Sequence, residues 1–212
     1  MKFNFNSPLM DFLTTTAQFI ALNVVFIICC IPIVTTGPAL AALYQVIMRE
    51  TRGENGYLFR KYLQHFKEMF IQSFLTSVFL GVIFLILLFN VGFWNTMEGL
   101  LANVIIVLVY IMLLAATCTG IYVFPLMARF KNGFFQTIKN AFYIALTNPR
   151  ATIILIVIQA LVIAALYYIP PFQIFMLFVG FCFIVYCNSY VLLKVFKKYE
   201  DEEDTDHKMK ER

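Results

Sequence analysis

The sequence predicts an all-α, polytopic integral membrane protein of about five transmembrane helices plus amphipathic juxtamembrane helices, and three observations predict it. Apolar residues make up 61% of the 212 positions and charged residues only 13%, against about 45–50% and about 25% in soluble domains. Charges are absent from Phe12 to Met48, from Gly99 to Ala128 and from Ala151 to Leu193, and each run can hold at least one ~20-residue crossing. Between the runs, lysine and arginine gather in two loops and the tail, as cytoplasmic segments do.

In chain order, Ser7-Pro8 offers an N-cap followed by proline at the first helical position, and Asp11 suits that positive helix end. The uncharged stretch that follows is too long for one crossing, and Pro32 and the Gly37-Pro38 pair interrupt it. It therefore resolves into a first span, 12–34, and a second helix with Leu40, Leu43, Tyr44 and Ile47 on one face. That break is expected to turn the chain onto the membrane surface. Gly53 and Gly56 mark a turn, and a basic amphipathic helix follows. Phe59, Tyr62, Phe66, Met69 and Phe70 alternate there with Arg60, Lys61, His65 and Lys67, and His65 is expected in solvent.

Further spans are expected at 74–93, ended by Trp94, at 101–125, at 151–169 and at 172–193, the last two joined by a tight turn at Pro170-Pro171. Residues 1–198 form a single transmembrane domain on this reading, and 199–212 form a charged tail expected to be disordered. A weak internal repeat relates Thr36-Gly37 to Thr119-Gly120, and Phe59, Tyr62, Phe66 to Phe135, Ile138, Phe142.

The basic residues set the orientation. The loop after the first span carries Arg49, Arg52, Arg60, Lys61 and Lys67, and that after the third carries Arg129, Lys131, Lys139 and Arg150. The other loops carry none, so five spans put the N-terminus outside and the C-terminus in the cytoplasm. The net charge of +4 is a topology signal, and no nucleic-acid partner is expected. The first span lacks a basic leader and a small-residue exit, so no cleavable signal peptide is expected.

Little chemistry is legible. No phosphate-binding loop occurs, and the five cysteines (Cys29, Cys30, Cys118, Cys182, Cys187) lie in apolar runs without ligand spacing. No cofactor, metal or enzymatic activity is expected. The spans hold amides and hydroxyls but no ionisable residue, which argues against ion-coupled transport. Asn23, Asn103 and Asn188 are candidates to line a polar path, although helix–helix hydrogen bonding is the favoured use of such amides. Pro32, Thr35, Thr36, Gly37 and Pro38 form a structural break or candidate polar site, where unwound backbone needs partners. Arg60, Lys61, Lys67 and Lys139 are the candidate contacts to lipid or a partner.

The runs PIVTTGPALAALY (32–44), RGENGYLFRKYLQHFKEMF (52–70) and YVFPLMARFKNGFFQTIKNAFYIALTNP (122–149) resemble the YesL-type membrane proteins, a mostly Gram-positive bacterial family of unknown function. The resemblance covers roughly Phe3 to Phe196. It implies a small multi-span protein of the bacterial plasma membrane whose genes often lie beside carbohydrate ABC importers and two-component regulators. Three functions stay open: an accessory or assembly subunit of such an importer, a small uncoupled channel or facilitator for a neutral solute, and a membrane adaptor for a sensor kinase. The bilayer is the expected partner, with importer subunits and a homo-oligomer as candidates.

Overall fold

The computed structural model describes the backbone of residues 8–53, 58–130 and 132–210, and side chains between residues 14 and 199. The described chain is helical throughout, with no strand among those residues. Helix α1 (Pro8–Cys30) ends in a short 3-10 turn (Ile33–Thr35) and is followed by α2 (Thr36–Thr51), α3 (Leu58–Trp94) and α4 (Leu100–Arg129). Next come α5 (Phe134–Thr147), α6 (Pro149–Tyr168) and a rod made of α7 (Pro170–Phe175), a π-turn (Met176–Gly180) and α8 (Phe181–Lys210). Four segments are long and apolar enough to cross a membrane: α3, α4, α6 and the rod from Pro170 to Tyr199. The described part of α1 adds a shorter apolar helix, Thr14–Cys30. This is an all-α, multi-pass membrane architecture.

Helix α2 is the centre of the bundle. It packs against α1, α3, α4 and α8, and Gly37, Pro38, Ala39, Ala41, Ala42, Leu43, Tyr44, Val46, Ile47 and Met48 are all buried. The expected surface helix is therefore corrected to an interior one. Leu43 and Ile47 do mark its apolar side, but Ala41 and Ala42 are buried off that face and let neighbouring backbones approach closely. At Gly37 the approach is closest. A Cβ there would collide with Ser77 of α3 and lie 2.9 Å from the Phe124 ring of α4. At the other end Gly53 takes φ 78° and its N–H donates to the Glu50 carbonyl at 2.9 Å, a left-handed helix stop suited to glycine.

The separate basic helix and second span are one helix. Nothing between Glu68 and Phe74 breaks α3, which runs for 37 residues, about 55 Å at 1.5 Å per residue. Its inward face is Leu58, Tyr62 and His65, at i, i+4, i+7, while Phe59 points outward. His65 is thus buried, not solvated, with Nδ1 3.1 Å from Glu68 Oε2. The second basic helix, α5, does stand apart from its span, because Asn148-Pro149 interrupts the chain there. The two halves of the weak repeat therefore differ in build.

Contacts between α1, α2 and α8 fix their relative directions. Phe19 packs on Tyr186 and Phe26 on Phe181, so α1 runs antiparallel to the start of α8. Tyr44 meets Asn188 while Leu40 and Phe181 border one cleft, so α2 runs parallel to α8. Because α2 is a pass inside the bundle, the N-terminal end of α1 is directed toward the basic end of α8. The tail expected to be disordered continues α8 as helical backbone to Lys210.

Gly37→Leu must displace Ser77 or Phe124, an overpacking that costs about 1–3 kcal/mol. Its unfolding midpoint in detergent, read by a thiol-reactive dye on the native cysteines, is expected several degrees below wild type. Gly92→Leu, where a Cβ meets nothing within 4 Å, is the control expected to match or exceed wild type. Equal midpoints for both variants would contradict the close approach.

Candidate functional site

Three interruptions of helix lie against the bundle, and side chains hold the backbone groups that each one frees. Between α1 and α2, Thr35 Oγ1 lies 2.6 Å from the Cys29 carbonyl and 2.7 Å from that of Pro32, and Thr36 Oγ1 donates to Ile33 O at 2.7 Å. At the π-turn, the Asn23 amide donates to Met176 O at 3.0 Å and Leu177 O at 2.8 Å. Its Oδ1 accepts from the Cys182 N–H at 3.2 Å. A π-turn disturbs the regular ladder, and one fully buried asparagine on α1 closes the gap. Between α5 and α6, Thr152 Oγ1 lies 3.0 Å from both Ala145 O and Asn148 O and 3.1 Å from the Tyr122 hydroxyl. The Tyr199 hydroxyl accepts from Asn148 Nδ2 at 2.7 Å on the outer side of that junction.

The π-turn forms one wall of a two-lobed cleft. The first lobe, about 380 Å³, lies among α2, α3, α4, α6 and α8, and its polar side chains are Tyr44, Thr117, Gln159 and Asn188. The second, about 450 Å³, shares Phe26, Leu40, Met176 and Phe181 with the first and extends to Thr36 and Gln173. Most of these polar groups are already engaged. Thr117 donates to Leu113 O at 2.8 Å, Gln173 to Leu166 O at 3.0 Å, and Asn188 Nδ2 to the Tyr44 hydroxyl at 3.2 Å. Asn188 is 1% exposed, and its Oδ1 is buried without a hydrogen-bond partner among the described residues. Among the described residues no charged side chain lines either lobe.

A different cavity, about 540 Å³, opens at the basic end between α2, α3 and α4, lined by Gln45, Glu68, Gln72, Arg129 and Asn132. Arg49 and Arg52 border a smaller recess that shares Gln45 and Arg129 with it. Arg49, Arg52, Glu68 and Arg129 each already have a polar interaction. No cluster of three histidine, cysteine or acidic residues able to hold a metal occurs among the described residues.

The predicted site residues separate cleanly. Arg60, Lys67 and Lys139 are exposed and Lys61 is half-buried; none borders a described cavity. Of the break residues, Pro32 is exposed, Gly37 and Pro38 are buried, and only Thr36 borders the cleft. The three asparagines do not line one path. Asn188 faces the cleft, Asn23 secures the π-turn, and Asn103 is exposed on α4. Gln159 carried no stronger sequence signal than other amides in the spans, and nothing in the pattern of residues 176–180 marks a π-turn.

The family described as "Protein of unknown function, DUF624" matches residues 19–91. Over this segment the chain is similar to that family. It takes in most of α1, all of α2 and α3 almost to its end, so the π-turn's asparagine, the Gly37 junction and Tyr44 all fall inside it. The YesL-type resemblance is consistent with DUF624, although its block at 122–149 lies outside the matched segment. No curated protein and no solved structure matches the chain.

Asn23→Leu keeps the side chain's approximate size and leaves three backbone groups without partners. At roughly 1 kcal/mol per hydrogen bond the expected loss is about 2–3 kcal/mol, read as a lower unfolding midpoint in detergent. Asn90, which bonds only to Ile86 O in its own helix, gives the comparison. Asn90→Leu is expected within about 0.5 kcal/mol of wild type. If Asn23→Leu were as stable as wild type, the π-turn would not depend on it.

Proposed function

We propose that the protein is a non-enzymatic membrane component that works with another transport protein, as an accessory or assembly subunit of a carbohydrate ABC importer. The importer context comes from the YesL-type resemblance. The physical support is the character of the cleft. A hexose presents several hydroxyls, each of which loses about 1–3 kcal/mol if buried unpaired. Against them stand Asn188 Oδ1 and the Gln159 amide on otherwise apolar walls. A facilitator that carries sugar through this cleft is therefore disfavoured. Ion coupling is disfavoured too, since the uncharged lengths of the crossing helices hold no group to bind the ion.

The outward aromatic and basic residues fit a surface that lies at the lipid headgroups or against a partner. Phe59 and Phe135 are exposed beside Arg60 and Lys139, a combination suited to anionic headgroups. With the basic end in the cytoplasm, the antiparallel run of α1 against α8 supports a reading in which α1 begins and α8 ends on that side of the bacterial plasma membrane, in place of termini on opposite sides.

Purified protein in liposomes is expected to give no sugar flux above empty vesicles. Deletion of the gene is expected to slow growth on an oligosaccharide taken up by the neighbouring importer and to leave growth on glucose unchanged. Robust flux through the protein alone would overturn the component reading in favour of a channel. Orientation has its own check: in intact cells, single cysteines at Ser7 and Asp201 are expected to resist a membrane-impermeant thiol reagent, while one at Glu98 reacts. Labelling at Ser7 with protection at Asp201 would restore opposite termini.

A further inference from the structure

We propose that the two-lobed cleft binds an uncharged, mostly hydrocarbon ligand with a free hydroxyl, which places its hydroxyl between Asn188 and Gln159. This inference is independent of any importer. Both lobes fall in the size range of small-molecule sites and share their predominantly apolar lining. Phe26, Leu40, Met176 and Phe181 are common to both lobes, so the seam between them is apolar. Among the described residues no cation or anion borders the cleft, so it offers nothing to pair with a charged headgroup.

The polar end of the ligand follows from Asn188. The side chain is almost wholly buried, its Nδ2 donates to Tyr44, and its Oδ1 has no partner among the described residues. The Gln159 amide borders the same lobe. The group left over is thus an acceptor in an otherwise apolar site. A hydroxyl can donate to it, and an ether, which only accepts, cannot.

Gly120 provides a test that spares the fold. It borders the first lobe from α4, and a Cβ built there meets nothing within 4 Å. Leucine at this position would take up part of the lobe, and leucine is favoured over glycine inside a helix.

Detergent-solubilised full-length protein is incubated in parallel with tritiated oleyl alcohol and tritiated 1,2-dioleoylglycerol, each competed by its unlabelled form and by the corresponding methyl ether. At least one hydroxyl-bearing probe is expected to be retained, and to compete about tenfold better than its ether, which is about 1.4 kcal/mol. Retention of the diacylglycerol alone assigns a membrane lipid as the source, and retention of the alcohol alone assigns a free single-chain amphiphile. Gly120→Leu is expected to abolish retention with an unfolding midpoint at or above wild type. Gln159→Leu is expected to weaken retention of the hydroxyl probe. Retention of neither probe, equal competition by hydroxyl and ether, or full retention by a folded Gly120→Leu would each overturn the proposal.

Discussion

A helix broken inside an apolar bundle has to find hydrogen bonds for the peptide groups it frees, and this requirement organises the protein. Bilayer hydrocarbon offers no substitute partners. The chain meets the demand locally with Thr35 and Thr36, and at long range with Asn23, whose one amide serves three backbone groups of the π-turn. The long-range solution has structural consequences. It fixes α1 against the start of α8 at a single register and leaves the π-turn as a wall of the cleft. Thr152 and Tyr199 apply the same solution where α5 meets α6, tying that junction to α4 and α8.

The second constraint is the room around α2. Four helices can surround one only where its side chains are small, and Gly37, Ala39, Ala41 and Ala42 provide that room. Tyr44 on the same helix extends across to Asn188. One helix thus sets both the closest packing in the bundle and the polar edge of its cleft.

The helical class was legible because hydropathy depends on composition over about twenty residues. The Pro170-Pro171 turn was legible too, since proline has few places in a helix. Two features were misread for identifiable reasons. The periodic residues Leu40, Leu43, Tyr44 and Ile47 drew attention to one face of α2, whereas alanines and Val46 make the helix apolar all round, the mark of a buried one. His65 was assigned by its polarity although its spacing from Leu58 and Tyr62 places it on the inward face. The cleft and π-turn could not be read, because they depend on which distant helices meet. Asn23 and Cys182 are 159 positions apart.

The unbroken length of α3 has a mechanical consequence. With neither proline nor π-turn within it, the helix has no hinge, so its basic end and its Trp94 end move as one lever. A tilt of about 5° about one end of a ~55 Å rod carries the other through roughly 5 Å. The α5–α6 pair, cut at Asn148-Pro149, cannot transmit torque in this way. Load applied where Arg60 and Lys67 sit is therefore carried to the far side of the bundle along α3 itself.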